Sequence, residues 1–134
     1  MNLSNTLRYA SASFGLALAV SLPSLAGAAN FAGSWSFSGA MGRPTVETIA
    51  PLCVFRQSGS VIAGSCKGPA GIGSASGSAN GGAIVFQWTR IATSRLQRNS
   101  VVTFRGVSNG SAIRGTFTDS ADPGLVGSFA ARRI

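Results

Sequence analysis

Beyond Ala28 the apolar and polar positions alternate with a period of two, and no stretch holds a helical period for three turns. Turn-forming clusters punctuate the alternation, which predicts an all-β chain of short strands. Eight strands are expected, over 32–38, 52–58, 61–67, 72–79, 82–91, 100–108, 111–119 and 125–133. A long segment, 39–51, separates the first two, and 92–99 reads as a polar loop. Ser120-Ala121-Asp122-Pro123-Gly124 is a turn cluster.

The hairpin from Leu52 to Lys67 carries the only two cysteines, Cys53 and Cys66. With Gly59-Ser60 as a two-residue loop, Cys53 falls directly opposite Cys66. Gly at the first loop position suits a type II′ turn. Counting out from the closing pair places the cysteines at a non-hydrogen-bonded position, where Cα atoms approach to about 4.5 Å. A disulfide accepts that separation.

Asn80-Gly81 and Asn109-Gly110 are strong type I′ signals. Taken as two-residue loops, they set Ile84 opposite Gly77, Phe86 opposite Ala75 and Trp88 opposite Gly73. They also set Phe104 opposite Gly115, Ile113 opposite Gly106 and Val102 opposite Phe117. Phe55 meets Gly64 in the first hairpin. Large residues facing small ones on one face are how the interior of a small barrel is filled. The opposite face, with Arg56, Arg105, Thr116 and Ser128, is polar and basic, as a wet outer face is.

Sequential antiparallel strands can close first to last and remove their edges. The expected fold is therefore an eight-stranded antiparallel up-and-down barrel with one cross-strand disulfide. A two-sheet sandwich shares the same periodicity. An outer-membrane barrel would need apolar residues outward, and here the aromatics share a face with the glycines.

Composition adds a compartment. Arg8, the apolar run of 10–20 and the small residues Ala26-Gly27-Ala28 read as a cleaved signal peptide over 1–28. Pro23 and Ser24 cut the apolar run short of the roughly 20 residues a membrane span needs. One barrel domain over 29–134 follows, periplasmic or secreted, where disulfides persist. The 134-residue chain carries 11 Lys+Arg against 3 Asp+Glu and has no His, a net charge of +8. All the cations except Arg8 fall in the domain.

Gly33-Ser34-Trp35 on the first strand resembles the Gly-x-Trp of lipocalins and, more loosely, the first strand of avidins. The resemblance implies a calycin-type barrel in which an arginine near the end of the last strand packs over that tryptophan. Arg133 has the parity for this over Trp35. The second lipocalin signature and the C-terminal helix are missing, and the biotin-contacting pattern of avidins is not recognisable. The stretch from Cys53-Val54-Phe55 to Cys66-Lys67-Gly68-Pro69 also resembles small exported bacterial proteins with no assigned activity.

The inventory for catalysis is poor, and no enzyme activity is expected. Without His, general acid–base chemistry would rest on Glu47, Asp119, Asp122 or Lys67. Asp119 and Asp122 flank a Pro-Gly turn and are assigned to it, and Glu47 has no partner in sequence. No base is at hand to activate a serine. No metal-ligand cluster is apparent, and no cofactor is expected.

Two features remain. Trp35, Phe37, Phe55, Trp88 and Phe104 either line a ligand cavity or fill the barrel, and the large–small pairing favours filling. The segment 39–51, with Met41, Val46 and Ile49, is a candidate lid. Arg105 and Arg114 fall opposite each other in the expected register, an unfavourable pairing that a bound anion would offset. With Arg56 they form a candidate anion-binding face, set against a simply solvated basic surface. The leading expectation is a periplasmic binding module for a small apolar or amphipathic molecule. The alternative is an interaction or inhibitor module whose basic face meets an acidic envelope component or protein. Nucleic acid is not an expected partner.

Overall fold

A computed structural model describes residues 29–42 and 47–134. The expected signal peptide, 1–28, and Val46 lie outside the described residues. The strands are β1 (Gly33–Met41), β2 (Glu47–Ile49), β3 (Leu52–Ser58), β4 (Val61–Gly68), β5 (Gly71–Asn80), β6 (Ala83–Arg90), β7 (Ser100–Ser108), β8 (Ala112–Asp119) and β9 (Gly127–Arg133). Each pairs antiparallel with its neighbour, and β9 closes onto β1, with Trp35 opposite Arg133 and Gly39 opposite Phe129. The result is a closed antiparallel barrel. No helix among the described residues is long and apolar enough to cross a membrane.

Eight walls arise from nine strands because β2 and β3 continue one another. Gly39 pairs with Ile49 and Ser36 with Leu52 in a single register along β1, and Phe37 N donates to Pro51 O between them at 2.9 Å. Pro51 has no N–H to give to the ladder, so the strand is interrupted there. This corrects the expected long segment. Its described residues belong to the wall: β1 runs on to Met41, and β2 pairs beside it. Met41 and Ile49 both hold inward positions and are buried, and that burial draws the segment into the wall.

The disulfide hairpin has the expected register. Cys53 lies opposite Cys66 with Cα atoms 4.0 Å apart, and the two sulfurs are bonded. The two Asn-Gly hairpins are each displaced by two residues. Phe86 faces Gly77, Trp88 faces Ala75 and Ile84 faces Ala79, while Phe104 faces Phe117, Val102 faces Asp119 and Ile113 faces Ser108. A type I′ turn would need positive φ at both asparagine and glycine. Instead Asn80 ends β5 and Asn109, just past the end of β7, still donates across to Ala112 O at 3.0 Å, so the loops are Gly81-Gly82 and Gly110-Ser111, with φ of 61° at Gly81 and 113° at Gly110. Gly59 opens the disulfide hairpin in the same way, at φ 59°. A displacement of two preserves the face of every side chain, so the inside–outside assignment is unaffected.

The interior is occupied by rings. Phe37 contacts Phe55, Phe86, Phe104 and Phe129 at centroid separations of 5.3–6.3 Å. Phe86 stacks on Phe104 at 4.7 Å, and Phe104 meets Phe117. Packing of this density requires strong wall curvature. At Gly115 a Cβ would collide with the Arg105 carbonyl oxygen of the neighbouring strand. One end of the barrel is sealed by residues 29–32. Phe31 is fully buried, its N–H donates to Gln57 Oε1 at 2.7 Å, and its carbonyl accepts from Trp35 Nε1 at 2.9 Å. Arg133 lies 4.4 Å over the Trp35 ring and donates to the carbonyls of Asn30 and Ala32.

Gly115→Ala is expected to force apart β7 and β8 and to destabilise the fold by about 1–3 kcal/mol, the usual cost of an overpacked site. Chemical denaturation of wild type and variant checks this.

Candidate functional site at the barrel mouth

At the end opposite Phe31, the inward rows of β6, β7 and β8 finish in polar residues. Arg90 is the last inward residue of β6, Ser100 the first of β7 and Asp119 the last of β8. Ser100 pairs with Arg90. Arg90 Nη2 reaches past it to Asp119 Oδ2 at 3.1 Å, and both side chains are at least nine-tenths buried. Removing one partner from such a pair is costly, since the other charge is left buried and alone. Asp119 Oδ1 also accepts from Ala121 N at 2.9 Å, so the expected turn role is real and the ion pair is added to it.

Loops raise walls around this floor. Arg98 Nη2 donates to Ala121 O at 2.9 Å and ties the 91–99 loop to the 120–126 loop. Asn99 Oδ1 accepts from Ala92 N, and Ser120 Oγ from Val101 N. Glu47, on β2, faces Asp122 across the rim. Hydrogen bonding between the two carboxyl groups raises the Glu47 pKa most, followed by desolvation and repulsion from Asp122 and Asp119, while Arg90 opposes the shift. Glu47, Arg90, Arg98, Asp119 and Asp122 line a pocket of about 410 Å³, with Leu96, Pro69 and Ala70 as its apolar side.

Among the described residues, three buried side-chain polar atoms have no hydrogen-bond partner: Trp88 Nε1, Arg90 Nε and Ser100 Oγ. They belong to one neighbourhood. Trp88 and Arg90 are consecutive inward residues of β6, and Ser100 pairs with Arg90. Trp88 Nε1 lies beside Gly73, which stands across from Arg90 in the β5–β6 register. Buried polar groups are almost always paired, so three orphans together mark a place where oxygen acceptors are wanted.

The expected cavity lining is not a cavity lining. Trp35, Phe37, Phe55 and Phe104 are buried against one another or against Phe31, and only Trp88 turns a polar atom toward the mouth. The expected anion-binding face is also rearranged. The displaced register puts Thr116 opposite Arg105 and Val107 opposite Arg114, so the two arginines are diagonal neighbours. Arg56, on β3, lies four strands from β7 in either direction round the barrel. Its outward position is as expected, but it shares no face with the other two.

Sequence reasoning did not single out Arg90 or Ser100, and it weighed Asp119 and Asp122 as acid–base candidates before assigning them to the turn. Arg90 and Asp119 nonetheless carried a signal. They share the parity of Trp88 and Phe117, which makes them charged residues aimed inward at strand ends. The coupling of Glu47 to Asp122 carried none, since the two are far apart in sequence and share only the pocket lining. Among known proteins, the chain matches no family model, and no match is found to a curated protein.

The raised pKa of Glu47 means that the folded chain holds this proton more tightly than the unfolded chain does. Stability associated with it is present below the ordinary carboxylate range and is lost as pH rises through the raised value. Glu47→Gln is therefore expected to stabilise the protein at neutral pH, by less than about 1 kcal/mol for so solvent-screened a group. The gain should vanish in acid, where Glu47 is already protonated. Thermal unfolding of both proteins between acid and neutral pH checks this.

Proposed function

We propose that this chain is a non-enzymatic binding module, periplasmic or secreted, that takes a small neutral molecule rich in hydroxyl or carbonyl oxygens at the barrel mouth. The observation that carries this reading is the trio of unpartnered donors, Trp88 Nε1, Arg90 Nε and Ser100 Oγ, of which Arg90 lines a pocket that also presents Glu47, Asp119, Asp122 and Arg98. Ligand oxygens would accept from the floor, and ligand hydroxyls would donate to Glu47 and Asp122. An anionic ligand would meet Asp119, Asp122 and Glu47. An apolar ligand would leave the three donors unsatisfied, at a cost of about 1–3 kcal/mol each.

The geometry gives little support to catalysis. The chain has no His, and of the three carboxylates at the mouth Asp119 is already engaged by Arg90. The Cys53–Cys66 disulfide fits an oxidising compartment. Together with the leader-like pattern of 1–28, it supports export.

The test uses Trp88 as a reporter. In a Trp35→Phe background Trp88 is the single tryptophan of the chain. Titration with mono- and disaccharides is expected to shift its emission, and Ser100→Ala should weaken binding roughly tenfold, the worth of one hydrogen bond. A Trp88 signal that ignores every saccharide, or a fatty acid that binds equally well with and without Ser100→Ala, would overturn the proposal.

A further inference from the structure

The three carboxylate residues of the chain, Glu47, Asp119 and Asp122, all line the mouth. The outer wall therefore carries cationic side chains and no carboxylate side chain among its described residues. Arg105 on β7, Arg114 on β8 and Arg132 on β9 are all exposed. Val107 pairs with Arg114, Arg114 with Ala130 and Arg132 with Ala112, so each arginine is displaced by two residues from the one on the next strand. They form one diagonal stripe, with neighbours about 7–8 Å apart. The residues between them, Ala112, Thr116 and Ala130, are short and leave the guanidinium groups standing clear.

We propose that this stripe is a docking surface for an anionic lipid membrane. Like charges at this spacing repel, and anions placed over them remove the repulsion. Among the described residues, the ion pair is that of Arg90 with Asp119, and no carboxylate reaches the stripe. The guanidinium groups are unclamped, which suits head groups that can rearrange laterally beneath them. Exposed aliphatic residues lie alongside. Val107, 63 % exposed, sits directly across from Arg114, and Ile134, 74 % exposed, follows the Arg132-Arg133 pair. Cations beside exposed aliphatics match the interfacial layer of a bilayer. No aromatic residue is among the exposed large hydrophobics, so the wall offers no stacking platform for the bases of a single-stranded nucleic acid. The stripe runs toward the end sealed by Phe31, so a docked protein keeps its mouth in solution.

Vesicle flotation tests this. Full-length protein is mixed with phosphatidylcholine vesicles or with vesicles containing about one-third phosphatidylglycerol, at low and high salt. The difference between the two lipids removes any contribution of the apolar 10–20 run, and comparison with the stripe variants removes that of Arg8, which they all share. Binding is expected on the anionic vesicles and should be lost in high salt. Each arginine contributes about fivefold. Arg105→Gln, Arg114→Gln and Arg132→Gln together should therefore weaken binding on the order of a hundredfold, and Arg114→Glu alone at least fivefold. Arg56→Gln, on the far side of the barrel, should leave it within about twofold. Equal binding to both lipids, no binding to anionic vesicles at low salt, or a triple variant that binds like wild type would each overturn the proposal. Retention on a sulfated polysaccharide without vesicle binding would overturn it too, in favour of a glycan partner.

Discussion

Closure of β9 onto β1 fixes the volume inside this barrel, and aromatic rings consume it. Phe37 stands at the centre of the ring cluster, on the strand that pairs with both β3 and β9. Its neighbours come from walls all round the barrel, so the cluster links strands that share no hydrogen bonds. Offset and edge-on contacts between rings contribute beyond area alone. A barrel of eight strands is wide enough either to be filled by side chains or to hold one small ligand. Here the first outcome is realised, and whatever the protein recognises must be met at an end or on the wall.

The two ends are finished in opposite ways. At one, residues 29–32 lie across the opening, and Arg133 both covers Trp35 and donates to the backbone of that segment. Gln57 adds a donor and an acceptor to the same strap. Every polar group named there has a partner. At the other end the inward rows terminate in Arg90, Ser100 and Asp119, and their polar capacity exceeds what the chain supplies to satisfy it. The seal is therefore a structural element, and the mouth is the one end with donors left to give.

The architecture was legible in the sequence because period-two alternation survives errors of detail. Both Asn-Gly hairpins slipped by two residues, yet every ring still pointed inward, since a slip of two preserves the face. The disulfide register was legible because Gly59-Ser60 and the cysteine spacing agreed independently. Two things were hidden. Which residue of Asn-Gly takes positive φ depends on whether the asparagine can stay paired across the hairpin, and here Asn80 pairs with Ala83 and Asn109 donates to Ala112 O. The path of 39–51 depended on Pro51, which breaks the ladder without ending the wall. The site was less legible than the fold. Arg90 and Asp119 were readable as inward charges, but Glu47 meets Asp122 only through tertiary structure, and the Arg105–Arg114 pairing rested on a register that the real loop displaced.

The distribution of unfavourable features follows from this arrangement. Local choices in a well-folded chain normally agree, and disagreements collect where function demands them. In this protein they collect at the mouth and on the stripe. Buried donors without acceptors lie at the mouth, as does Glu47, whose pKa Asp122 raises. Uncompensated arginines lie on the wall. The two are connected, because carboxylates confined to the mouth cannot neutralise the wall. A more even placement of Glu47, Asp119 and Asp122 would relieve the repulsion on β7–β9 and would leave Arg90 buried without its counter-ion. The same three residues thus serve two surfaces, directly where they stand and indirectly where they are missing.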